Sequence, residues 1–149
     1  MGLLLIAVIE VGAIVDGLPV FNVDYHKEAG KMGDATLRSG LFSAIQTFAQ
    51  DAFADEMDEL RLRNLTICLK STTVAQDQPV VIYAVADKDT RSIDSVRDAL
   101  NKVDQKMMNI KDPLSTLEPD KNLFLRKIFD KEFKDLKMRP AERARRLFG

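Results

Sequence analysis

Apolar positions follow a strand-like spacing in the first part of the chain. The run Leu3 to Val15 is apolar at odd and even positions alike, which is typical of a strand covered on both faces. Asp16-Gly17 suits a tight hairpin turn, and Leu18 to Tyr25 predicts the returning strand. Pro19 has no N–H to donate, so we expect this second strand at an edge of the sheet.

A first helix is predicted to begin at Asp34, whose side chain can cap it. Its apolar positions form one stripe and a second flank, namely Leu37, Leu41, Ala44, Ile45, Phe48, Ala49 and Ala52 on the stripe and Phe42 and Phe53 on the flank. This is more apolar surface than one sheet-facing stripe requires. Either the helix is deeply seated or part of it faces a partner.

Three short strands and two helices are predicted after the acidic cluster at 55–59. Leu60 and Leu62 share one parity and Leu65, Ile67 and Leu69 the other, which favours a hairpin at Arg63-Asn64, with a bulge as the second choice. Val80 to Ala86 is typical of a buried strand. Helical spacing then predicts two buried helix sides, Ile93, Val96, Leu100, Val103, Met107 and Ile110 on the first and Leu125, Ile128, Phe129, Phe133 and Leu136 on the second.

The predicted order is therefore strand, strand, helix, strand, strand, strand, helix, helix. Hairpin connections favour an antiparallel sheet, and helices on both faces would cover its central strand, which makes the protein an α+β fold. A chain of 149 residues supports one well-buried core. We expect a single domain over residues 1–138 and a short basic extension over 139–149.

Charge is distributed unevenly along the chain. Residues 1–120 carry 12 Lys and Arg against 19 Asp and Glu, a net charge of −7, whereas residues 121–149 carry 10 against 4, a net charge of +6. The overall net charge of −1 favours no nucleic-acid partner. The basic end is a candidate contact for an acidic partner or a membrane surface, through Arg139, Arg143, Arg145, Arg146 and Phe148.

Candidate catalytic chemistry is sparse. The chain has one histidine, His26, and one cysteine, Cys68, and neither has neighbours that suggest an activated base or thiolate. Metal-ligand spacing and nucleotide-binding motifs are also missing. We therefore expect no enzymatic activity, metal or cofactor, and a cytoplasmic protein that is soluble or peripheral at a membrane surface, because the run Leu3 to Val15 is too short to span a bilayer.

Four segments in this order resemble the longin family: IAVIEVGAIVDGLPVFNVDY, TLRSGLFSAIQTFAQDAF, ELRLRNLTICLKST and VVIYAVADKD. The resemblance covers about Leu3 to Ile110. It implies a five-stranded antiparallel sheet with one helix on one face and two on the other, an architecture that is also profilin-like. Longin domains bind small GTPases or one another in vesicle-trafficking complexes. The resemblance thus implies a non-catalytic adaptor or scaffold.

In that family the first helix and the adjacent third strand form the usual contact surface. Here this implies partner contacts, with a small GTPase, another longin or roadblock-type subunit or a second copy, through Phe42, Ile45, Ala49, Phe53, Leu60 and Leu62. Two alternatives remain. One is a roadblock-like homodimeric GTPase regulator, although no helix fits before Leu3. The other is a profilin-like or PAS-like small-molecule sensor, although few polar groups are expected in the core.

Overall fold

The elements of the fold follow the predicted order. A computed structural model describes residues 7–25, 34–87, 90, 93–114 and 119–136. Five antiparallel strands form a sheet of order β2-β1-β5-β4-β3, and the α+β class is confirmed. The strands are β1 (Val8–Val15), β2 (Leu18–Asp24), β3 (Glu59–Arg61), β4 (Leu65–Val74) and β5 (Gln78–Asp87), and the helices are α1 (Ala35–Phe53), α2 (Ile93–Met107) and α3 (Pro119–Phe133).

Turn chemistry sets the first hairpin. Asp16 and Gly17 adopt φ values of 53° and 79° between β1 and β2, and these are the positive values that a two-residue hairpin turn needs. All eight residues of β1 are buried, and the strand lies between β2 and β5. β2 lies at the edge, as Pro19 predicts.

The second hairpin occurs where the alternation of apolar residues changes phase. Leu62 donates its backbone N–H to the Leu65 carbonyl at 2.8 Å, which closes the turn through Arg63 and Asn64 between β3 and β4. β3 is only three residues long. Its Glu59 accepts a hydrogen bond from Arg97 of α2 at 2.8 Å, so an ion pair ties this edge to a helix.

Side chains alternate between the two faces of the sheet because successive strand residues point in opposite directions. On β1, Val11 and Ala13 belong to the larger core cluster, which α2 and α3 cover. Ile14 belongs to a second cluster on the opposite face, together with Phe42 of α1. One helix therefore covers one face and two helices cover the other. The predicted buried residues of α2 and α3 do pack into the larger cluster.

Candidate functional site

The sheet-facing side of α1 differs from the predicted stripe. Asp34 caps the helix as expected and accepts a hydrogen bond from the Thr36 N–H at 2.7 Å. The buried side chains are those of Ser39, Phe42, Gln46 and Ala49. Phe42 is 2% exposed, and its ring centroid lies 5.0 Å from that of Tyr83. The helix is rotated so that the predicted flank position packs on the sheet and much of the predicted stripe does not.

A buried polar cluster explains this rotation. Glu10 of β1 is 2% exposed, and its carboxylate accepts hydrogen bonds from Arg38 of α1 at 2.5 Å and from the Tyr83 hydroxyl at 2.6 Å. Asn22 of β2 donates to the same hydroxyl at 2.9 Å. A charge this deep needs such partners, so Arg38 must face the sheet. Phe42, one turn further on, then faces it too.

The same cluster holds the side chain of Tyr83 in place. Burial, followed by the Glu10 carboxylate, raises the pKa of Tyr83 well above its usual range. A Cβ at Gly12 would lie 2.6 Å from the Tyr83 ring, so this glycine makes room for it. Sequence reasoning missed this cluster, and its one signal was Glu10 standing alone in an apolar strand.

The C-terminal end of α1 is also tied to the chain that follows it. Gln46 is 7% exposed, and its side-chain amide donates to the Met57 carbonyl at 2.7 Å and accepts from the Met57 N–H at 2.8 Å. Ala54 ends the helix with φ 52°, and its N–H bonds back to the last turn. The orientation of α1 is therefore held at both ends.

The outer face of α1 is apolar and exposed. We use this name for Leu37, Leu41, Ala44, Phe48 and Ala52, together with Phe53, the last residue of the helix, whose ring contacts that of Phe48. The four large side chains are exposed by 75% (Leu37), 53% (Leu41), 65% (Phe48) and 72% (Phe53), and the two phenylalanine rings meet edge to face at 6.1 Å. With roughly 200 Å² available on side chains of this size, the four present about 500 Å² to solvent. Patches of that size on soluble proteins often mark interaction sites.

The predicted contact residues are divided by this geometry. Phe42 and Ala49 lie in the core, which corrects their assignment to a contact surface, because their side chains already pack on the sheet. Leu60 packs on the cluster beneath α1, Ile45 is half-buried, and Phe53 and Leu62 are exposed. The predicted contacts at Arg139, Arg143, Arg145, Arg146 and Phe148 lie outside the described residues.

An acidic groove borders the outer face near the C-terminal end of α1. It has a volume of about 600 Å³ and runs between α1 and the ends of β1, β4 and β5. Four carboxylate side chains line it, those of Asp16, Asp51, Asp55 and Glu56, and no Lys or Arg does. Ala44 is shared by the groove and the outer face. None of the four carboxylates belongs to a salt bridge among the described residues.

Among the described residues, the Cys68 thiol is free but buried. Burial raises the pKa of the Cys68 thiol to about 11, which disfavours the thiolate needed for nucleophilic chemistry. Within the described ranges, His, Cys, Asp and Glu side chains form no cluster of three or more suited to a metal ion. No helix of the described chain is long and apolar enough to cross a bilayer.

Comparison with known families, with curated proteins and with solved structures returned no match for this chain.

Proposed function

We propose that this protein is a non-catalytic interaction module, an adaptor or scaffold of the longin type that serves a small GTPase or a trafficking-type complex. The outer face of α1 is its docking surface. The observation that carries the proposal is the exposure of Leu37, Leu41 and Phe48 on one face of a helix whose other face is fixed to the sheet, with the exposed Phe53 ring beside Phe48 at the C-terminal end.

The composition of α1 supports docking by a protein surface. Arg38 and Asp51 are the charged residues of this 19-residue helix, and Arg38 is bonded to Glu10. Its outer face therefore offers apolar anchors at helical spacing, an arrangement that partner helices and grooves recognise. Aromatic anchors of this kind contribute most to binding where interfaces are well packed.

The choice of a small GTPase as partner comes from the longin resemblance and is tested by nucleotide dependence. A photo-crosslinking residue at Leu41 in the full-length protein is exposed to lysate of the source organism with GDP or with a non-hydrolysable GTP analogue. We expect a crosslinked GTPase whose yield depends on the nucleotide. A partner captured equally in both states would indicate a structural assembly module instead.

A pair of matched variants tests the surface itself. Phe48→Glu places a charge on the outer face, and Phe124→Glu does the same at a phenylalanine of α3 that is 51% exposed. We expect Phe48→Glu to abolish partner capture and Phe124→Glu to preserve it, with both variants folded by circular dichroism. Equal capture by the two variants would show that the outer face is not the docking surface.

A further inference from the structure

We infer that the outer face of α1, together with the acidic groove, is occupied within the same molecule by the basic segment of residues 137–149. This inference rests on the proposed function, because it names an occupant for the same docking surface. The segment itself lies outside the described residues, and the case is made from its sequence and from the surface.

Charge complementarity selects this occupant. Residues 137–149 carry Lys137 and four arginines against Glu142, a net charge of +4. The groove beside the outer face presents four carboxylates and no cationic side chain. Opposite charges attract, and the attraction falls as salt rises. An anionic bilayer is a poor occupant of the same surface, because the carboxylates would repel it.

Apolar complementarity adds to the charge. The basic segment has Leu147-Phe148 near its end, and the outer face ends in the exposed pair Phe48 and Phe53. A segment with cationic residues followed by apolar ones matches a surface that combines a carboxylate-lined groove with exposed rings. Arg145 and Arg146, next to Leu147, can also stack on aromatic faces.

The path of the chain permits the contact. The Leu136 carbonyl accepts a hydrogen bond from the Val8 N–H at 2.8 Å, so the described chain ends at the start of β1. Arg38 is bonded to Glu10, so α1 also begins near that end. Phe48 lies about 20 Å along the helix from its start, and crossing to the other face of the sheet adds about 10 Å. Twelve extended residues span about 40 Å, which is enough for Phe148 to reach Phe48.

A spin label on the full-length protein tests the contact. Gly149→Cys provides a site for a nitroxide, while the buried Cys68, with its raised pKa, stays unlabelled at neutral pH. We expect the amide signals of residues 48–55 to lose most of their NMR intensity in dilute sample. We expect them to recover it in high salt. Unchanged α1 signals, or broadening confined to other surfaces, would overturn the inference.

A matched charge reversal and a mixed sample separate the remaining outcomes. Asp51→Lys in the groove should restore the α1 signals, whereas Asp98→Lys, at an exposed aspartate of α2, should leave them broadened. In the mixed sample, protein that carries the nitroxide but no ¹⁵N is added to ¹⁵N-enriched protein that carries no nitroxide. If the ¹⁵N signals of α1 broaden, a second copy supplies the segment and the intramolecular assignment is wrong. Failure here leaves the effect of Phe48→Glu on partner capture intact, so the two proposals fail separately.

Discussion

Two phenylalanines on one helix test the assignment of its faces. Phe42 is 2% exposed, and its ring packs on Tyr83. Phe48 is 65% exposed, and its ring contacts that of Phe53, which is also exposed. Replacing a buried phenylalanine with alanine costs about 3–5 kcal/mol, because contacts are lost and a cavity remains. Replacing the exposed one costs less than about 1 kcal/mol. Both changes put alanine into the same helix, so the difference in helix propensity cancels.

The assay is equilibrium unfolding in urea, with thermal unfolding as a second measure. For a chain of this size, about 1 kcal/mol corresponds to roughly 2–4 °C in Tm. We expect Phe42→Ala to lower the Tm by about 10 °C and Phe48→Ala by no more than about 3 °C. Equal losses would contradict the assignment of the two faces, and a larger loss for Phe48→Ala would mean that α1 packs on the sheet through its other face. Either result would remove the surface on which both proposals depend.

Three further predictions concern the buried groups, and each is measured on the purified protein. Gly12→Ala should cost about 1–3 kcal/mol in urea unfolding, because the new Cβ meets the Tyr83 ring, which two hydrogen bonds hold in place; an unchanged midpoint would refute the close approach. Arg38→Gln should destabilise by about 2–4 kcal/mol, because it leaves the buried Glu10 carboxylate without its cation, and Glu10→Gln by less, because Arg38 is the more exposed partner; the reverse order would contradict this. Burial raises the pKa of the Cys68 thiol from 9.0 to about 11, so between these pH values the folded state keeps a proton that the unfolded state loses. The free energy of unfolding should therefore fall as pH rises from 9 to 11. Cys68→Ala should remove this part of the pH dependence.

Local pattern determined most of the architecture. The positive φ values at Asp16 and Gly17, the edge position of β2, the cap at Asp34 and the phase change at Arg63-Asn64 each depend on a few adjacent residues, so the sequence predicts them directly. The buried faces of α2 and α3 could also be predicted from the sequence, because each helix has one dominant apolar face.

Only the tertiary structure decided how α1 is rotated. The helix carries two apolar faces, and spacing alone did not decide which one packs on the sheet, while the longin resemblance assigned Phe42 to a contact surface. The choice depends on Glu10, a residue 28 positions from Arg38 along the chain, because a buried carboxylate draws the arginine of α1 toward the sheet. Long-range pairing of a single buried charge therefore turned much of the apolar stripe toward solvent.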